Sequence, residues 1–186
     1  MELKKWKTLD EKTVFKNAWW DLRQESVELP DGTTSDWWVN HQDGGVVIFA
    51  LTDDNKVIIN RQYKHGIREV VTELCIGRID GDEGGPIVEA QRELLEETGF
   101  GGGAWTSLGS YASNPTSSTA HLHVFLAKGV RKLAEQKNDV KEIIETDFVP
   151  LADFCAMLDE GSLTMHASIA AAHLALRKLG IIQYKL

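Results

Sequence analysis

The chain has 186 residues, 42% of them hydrophobic, and a formal net charge of −8. That length and apolar content suffice for one good core. The pI near 5.2 excludes generic binding to a nucleic acid backbone, which needs clustered Lys and Arg to neutralise phosphates.

An anionic substrate would therefore have to meet positive charge from bound cations and a few placed arginines. Cys75 and Cys155 have no neighbour at metal-binding or redox spacing and read as small buried apolar residues. The N-terminal lysines are followed by no apolar stretch, and no uncharged apolar run approaches the length of a membrane span. A cytoplasmic protein with no membrane partner is expected.

In chain order, the first eighty or so residues read as strands. Val27 to Leu29 and Trp37 to Asn40 flank the turn tripeptide Pro30-Asp31-Gly32 as a hairpin. The β-branched runs Val46 to Leu51 and Val57 to Asn60, separated by Thr52 to Asn55, read as buried strands. Glu69 to Ile76 reads as one further short strand. From Pro86 the period changes: Ile87, Ala90, Leu94 and Leu95 mark a helical stripe of roughly three turns that ends at Gly99.

Gly101-Gly102-Gly103 forms a joint before strands at Trp105 to Tyr111 and Leu122 to Leu126, with a polar loop over Ala112 to Thr119. Val130 to Asp139 is polar and charged, and Ile143 to Val149 returns to strand. Helices at Leu151 to Leu158 and Met165 to Leu179 close the chain, the latter apolar at Ile169, Ala172, Leu176 and Leu179. This order predicts a mixed sheet covered by helices on its faces.

The central helix carries the chemistry. Glu93 and Glu97 are one turn apart and Glu96 is three residues from Glu93, so their carboxylates crowd together and call for a counter-charge. Arg92 offers one. Hard cations such as Mg²⁺ and Mn²⁺ offer more, since they take carboxylate and phosphate oxygens. By itself such a helix is more often a solvated acidic face. Its context favours the metal reading: a strand ending in Glu73-Leu74-Cys75-Ile76-Gly77, then a loop with Asp80, Asp82 and Glu83, then the carboxylate helix.

Gly77, Glu83 and Arg92-Glu93-Leu94-Leu95-Glu96-Glu97-Thr98-Gly99-Phe100 together resemble the signature of the Nudix hydrolases. The interval from Glu83 to Arg92 is one residue longer than the family's, and the extra residue falls in Gly84-Gly85-Pro86. Arg61-Gln62-Tyr63-Lys64, Glu73-Leu74-Cys75-Ile76-Gly77, Phe125-Leu126-Ala127 and Phe148-Val149-Pro150-Leu151 resemble the branch that hydrolyses ADP-ribose and other nucleoside diphosphate sugars. That branch usually has Pro-Ala at Cys75-Ile76, and Ser-Pro-Gly with an acidic residue in the loop that here runs from Ser113 to Thr119.

The resemblance implies an α/β/α sandwich with a mixed central sheet, one domain over residues 1–186, and an N-terminal antiparallel strand segment over 1–42 at the interface of a homodimer. It implies Mg²⁺, with Mn²⁺ as a substitute. Glu93, Glu97, Glu96 and the backbone carbonyl of Ile76 would hold metal, Glu96 ligating or bridging a second ion, while Arg92 orients a carboxylate. Matching the branch's mobile loop nominates Glu142 as catalytic base, with Glu135, Asp139 and Glu145 close enough to compete. Arg61 and Arg68 suit substrate phosphates or the terminal ribose, although a surface ion pair explains Arg68 as well.

Base stacking would come from Trp19 or Trp20 and from Trp37 or Trp38, with Trp20 and Trp38 nominated; of adjacent tryptophans in a strand, one faces the core. His121 and His123 share a strand face but lack a third ligand. His166 and His173 need no special role. Two other readings stay open. One keeps the chemistry on dinucleoside polyphosphates or nucleoside triphosphates. The other is a non-catalytic nucleotide-sugar sensor, which predicts lost glutamates or an added DNA-binding segment.

Overall fold

The computed structural model describes residues 4–79, 84–137 and 143–183. The chain divides into two compact units, residues 4–44 with Ala112–His121, and Gly45–Tyr111 with the chain from Leu122 onward.

The first unit is an antiparallel meander of β1 (Lys7–Lys16), β2 (Asp21–Glu28) and β3 (Thr34–Asn40). The β2–β3 turn forms as its residues dictate: Gly32 takes φ 85° and donates to the Leu29 carbonyl, and Asp31 accepts from the Thr33 amide and hydroxyl. β1 is exposed along its whole length, so its sequence carries no in-out alternation to betray a strand.

Trp19 and Trp20 depart from expectation. They lie in the β1–β2 connection rather than in a strand, where Asn17 Oδ1 accepts from both of their amides, and both side chains are exposed. Trp37 and Trp38 do lie in β3 and face opposite ways. Trp37 packs edge-on against Trp6 and donates to the Thr116 carbonyl, while Trp38 is exposed. The polar loop before His121 is pinned to β3 by backbone bonds between Asn40 and both Ser117 and Thr119.

The second unit is built on a mixed sheet. Its strands are β4 (Gly45–Thr52), β5 (Lys56–Lys64), β6 (Glu69–Glu73), β7 (Cys75–Arg78), β8 (Phe100–Gly101), β9 (Ala104–Ala112), β10 (His121–Lys132) and β11 (Ile144–Pro150). The central path runs β11-β5-β4-β10-β8; β6 joins β5, β7 joins β4 and β9 joins β10. Only the β4–β10 pairing among these central neighbours is parallel.

The expected single strand from Glu69 to Ile76 is two strands. The chain changes partner at Leu74, from β5 to β4, and the Leu74 amide released by the switch donates to Ser168 Oγ. β10 runs on past the strand expected at Leu122 to Leu126 as far as Lys132, because Arg131 and Lys132 pair with β8.

Helices α1 (Gly85–Thr98), α2 (Leu151–Asp159) and α3 (His166–Lys178) cover the sheet. β4 is buried at every position and feeds both faces. Val47, Phe49 and Leu51 pack with Phe154 of α2 and with Ala171, Ala172, Ala175 and Leu176 of α3. Val46, Ile48 and Ala50 pack with Ala90 and Leu94 of α1. This is the expected α/β/α sandwich. The alanines of α3 leave room for close approach to the sheet. Cys75 is buried as expected, whereas Cys155 is half-buried on α2.

α1 is longer than expected, 14 residues and so about four turns. Pro86 sits in its first turn, and Gly99 closes it in the left-handed region with its amide on the Leu95 carbonyl. A β-carbon on Gly99 would also collide with the Ala134 carbonyl, so the position demands glycine twice over.

Candidate active site

α1 packs on β7 and brings its carboxylates to that edge of the sheet. Arg92 lies among three of them. Its Nη2 donates to Glu89 Oε2 at 2.8 Å and to Glu93 Oε1 at 2.6 Å, its Nη1 donates to Glu96 Oε2 at 2.6 Å, and its Nε reaches Glu89 Oε2 at 3.2 Å. The Glu89 hydrogen bond and the charges of Glu93 and Glu96 push the guanidinium above its usual range against the opposing effect of burial.

Glu97 faces elsewhere. It is 5% exposed, and its Oε2 accepts from Asn60 Nδ2 at 2.8 Å. Burial first, then the Glu97 charge, pushes the Cys75 thiol well up. Glu93 lies against the backbone of Gly77, where any β-carbon would overlap its Cγ.

This donor set fits a hard divalent cation. Three carboxylates, Glu89, Glu93 and Glu96, share one guanidinium and leave a negative excess, Glu97 follows on the same helix, and carboxylate oxygens are the ligands such ions take.

Among the described residues, the group whose His, Cys, Asp and Glu ligand atoms lie within 4.8 Å of one another is a different one: Glu11, Glu25 and His41, in the N-terminal sheet. There His41 already bonds Glu25, and Arg23 already pairs with Glu11 and Asp21. Neither His121 nor His123 belongs to it; His121 instead bonds the Thr119 carbonyl.

Arg61 projects from β5 and approaches Glu145 of β11 at 3.5 Å. With Gln62, Tyr63, Val70 and Ile143 these two line a cavity of about 280 Å³. Arg68 is exposed in the β5–β6 turn at φ 60°, an uncommon backbone region for a side chain of its size. Ile76 lies on β7 beside Gly77. Of the acidic alternatives for the base, Glu135 is exposed near Lys132, and Glu145 pairs with Arg61. Glu142, Asp139, Asp80, Asp82 and Glu83 lie outside the described residues.

Sequence reasoning passed over Glu89, Asn60, Thr146 and Glu73. Glu73 is fully buried between Gln62 and Lys64, whose nitrogens lie 2.6 and 2.9 Å from its Oε1; among the described residues its Oε2 has no partner. The available signal was the alternation of β5, which turns Ile58, Asn60 and Gln62 to one side while Ile59 faces the other.

The layered fold and the carboxylate helix define a Nudix-type hydrolase. Residues 41–170 match the NUDIX domain family and residues 6–40 match the nucleoside diphosphate sugar hydrolase N-terminal domain; the chain belongs to the NUDIX family. It is 32% identical over 160 residues to an ADP-ribose pyrophosphatase of Bacillus subtilis (strain 168), covering 82% of this chain and 85% of that protein. It is 32% identical over 154 residues to a methanol dehydrogenase activator of Bacillus methanolicus, covering 83% and 80% respectively. A crystal structure of an ADP compounds hydrolase shares the fold at TM-score 0.83, covering 98% of this chain and all of that one, with 23% identity. The fold and enzyme class implied by the signature are thus those of the chain.

Proposed function

We propose that this enzyme hydrolyses the diphosphate bond of a nucleoside diphosphate sugar, ADP-ribose first among them, to a nucleoside monophosphate and a sugar phosphate, with Mg²⁺ as cofactor and Mn²⁺ as a substitute. The observation that carries this reading is the match of residues 6–40 to the nucleoside diphosphate sugar hydrolase N-terminal domain, on a chain whose α1 gathers the carboxylates.

A diphosphate resists attack because its oxygens repel nucleophiles. The bound divalent ions would neutralise that charge and acidify a water, which is the chemistry such ions supply. In this reading Glu93, Glu97 and Glu96, with the Ile76 carbonyl, hold the ions. Arg92 keeps Glu93 and Glu96 oriented through the bonds described above. Glu142 is the favoured base, taking a proton as a new P–O bond forms and the bridging P–O bond breaks. Arg61 and Arg68 hold the substrate's phosphates or terminal ribose.

The same reading takes the whole chain as one hydrolase domain acting as a homodimer, with residues 1–42 at the interface and Trp20 and Trp38 available to stack on the base. The exposure of Trp6, Leu9, Val14, Phe15, Trp20 and Trp38 in the N-terminal unit supports a covered surface there.

The test is a panel of nucleotide sugars, dinucleoside polyphosphates and nucleoside triphosphates with Mg²⁺ or Mn²⁺, with products identified. AMP and ribose 5-phosphate from ADP-ribose are expected. Turnover confined to triphosphates or dinucleotides would overturn the substrate, and metal binding with no turnover would favour a sensor.

A further inference from the structure

Glu97 is held from behind by residues distant in sequence. β5 and β11 are antiparallel neighbours with Asn60 directly opposite Thr146. The Thr146 hydroxyl donates to Asn60 Oδ1 at 3.0 Å, and Asn60 Nδ2 donates to Glu97 Oε2 at 2.8 Å. The direction of this relay is fixed chemically. A carboxylate only accepts, so the amide must turn its nitrogen to Glu97 and its oxygen to Thr146, whose rotatable hydroxyl supplies a proton.

Asn60 is 1% exposed and Glu97 5%, so neither bond competes with open solvent, and a buried amide left unmatched is costly. Thr146 Oγ1 also lies 3.3 Å from the Glu97 backbone carbonyl in the last turn of α1, so that carbonyl and Asn60 Oδ1 share the one hydroxyl proton. The side chain of Glu97 is thereby tied to β5, and its backbone lies beside the same Thr146 hydroxyl of β11.

We propose that Asn60, with its amide oriented by Thr146, is a positioning residue that fixes the Glu97 carboxylate for divalent cation binding. Groups behind a ligating carboxylate set its direction, and losing one typically weakens metal affinity or activity by about 10- to 100-fold. This inference rests on the reading of Glu97 as a metal ligand.

The experiment is a titration of the purified full chain, freed of metal by chelation, with Mn²⁺, free ion being measured by electron paramagnetic resonance for wild type, Asn60→Leu, Thr146→Val, Thr146→Ser and Glu97→Gln. Thermal melts of each show whether it folds. Asn60→Leu should weaken Mn²⁺ binding by about tenfold or more. Thr146→Val should shift it in the same direction by less, and Thr146→Ser, which keeps the hydroxyl, should bind like wild type. With saturating Mn²⁺ and whichever substrate the wild type turns over, the substrate KM should be unchanged in Asn60→Leu while kcat falls.

Wild-type Mn²⁺ affinity in folded Asn60→Leu, or in Thr146→Val should the former fail to fold, overturns the proposal and leaves the α1 site intact. Undiminished binding in Glu97→Gln overturns the α1 reading, and this inference with it.

Discussion

The side chain of Glu93 lies across the backbone of Gly77, so closely that glycine is the one residue that fits. Gly77 needs no unusual φ, so the constraint is steric rather than conformational. Strand β7 and helix α1 are thereby brought together at the point where the carboxylates begin.

Gly77→Ala should therefore act through Glu93. A single methyl group forced into a packed site costs about 1–3 kcal/mol of stability. Moving a reacting group by an ångström costs on the order of 100-fold in rate. A loss of kcat/KM of that order in a protein that still melts cooperatively is expected; wild-type turnover would show that Glu93 is free to move.

Glu97→Gln keeps the shape of the side chain and its bond to Asn60 Nδ2 through the remaining oxygen, but removes the charge. Turnover should fall by more than the roughly 10- to 100-fold typical of losing a group behind a ligand. Steady-state rates over a Mg²⁺ series provide the check, and near-normal turnover at low Mg²⁺ would remove Glu97 from the ligand set.

Lys64→Met should destabilise the fold with little direct effect on metal affinity. Lys64 Nζ lies 2.9 Å from Glu73, whose side chain is 1% exposed and would be left as a buried carboxylate held by Gln62 alone. Removing one partner of a buried pair costs about 3–5 kcal/mol, and the partial exposure of Lys64 lowers the expectation to about 2 kcal/mol. Urea melts should show the double variant Lys64→Met, Glu73→Gln recovering part of the loss, because the stranded charge is gone.

In the N-terminal sheet, the hydrogen bonds of Arg23 and then Lys16 hold the Asp21 carboxyl well below the usual carboxylate range. A depressed carboxylate stabilises the folded state above the unfolded-state value, near pH 4, and that contribution disappears as pH falls through the folded-state value. Asp21→Asn should therefore be less stable than wild type at neutral pH, with the two converging under strong acid. Acid unfolding followed by tryptophan fluorescence tests this; a constant gap down to the lowest pH would argue against it.

Local features were legible along the chain because their causes are local. The spacing of Glu93, Glu96 and Glu97, the stop at Gly99 and the turn at Asp31-Gly32 follow from helical periodicity and from backbone freedom at glycine. The Nudix signature is of the same kind, since Arg92, Glu93, Glu96 and Glu97 ride on one helix.

The tertiary structure alone decided what each carboxylate meets. Arg92 draws in Glu89, Glu93 and Glu96, whereas Glu97 is turned under β5 to Asn60, 37 residues away, which in turn is set by Thr146, 86 residues from it. Nothing in the Val57-Ile58-Ile59-Asn60 run announces that its last residue faces a helix not yet written. The break at Leu74 and the pairing of β10 with β8 are likewise choices of partner strand. Periodicity records which face of an element is buried; the identity of what buries it is fixed only when distant segments pack.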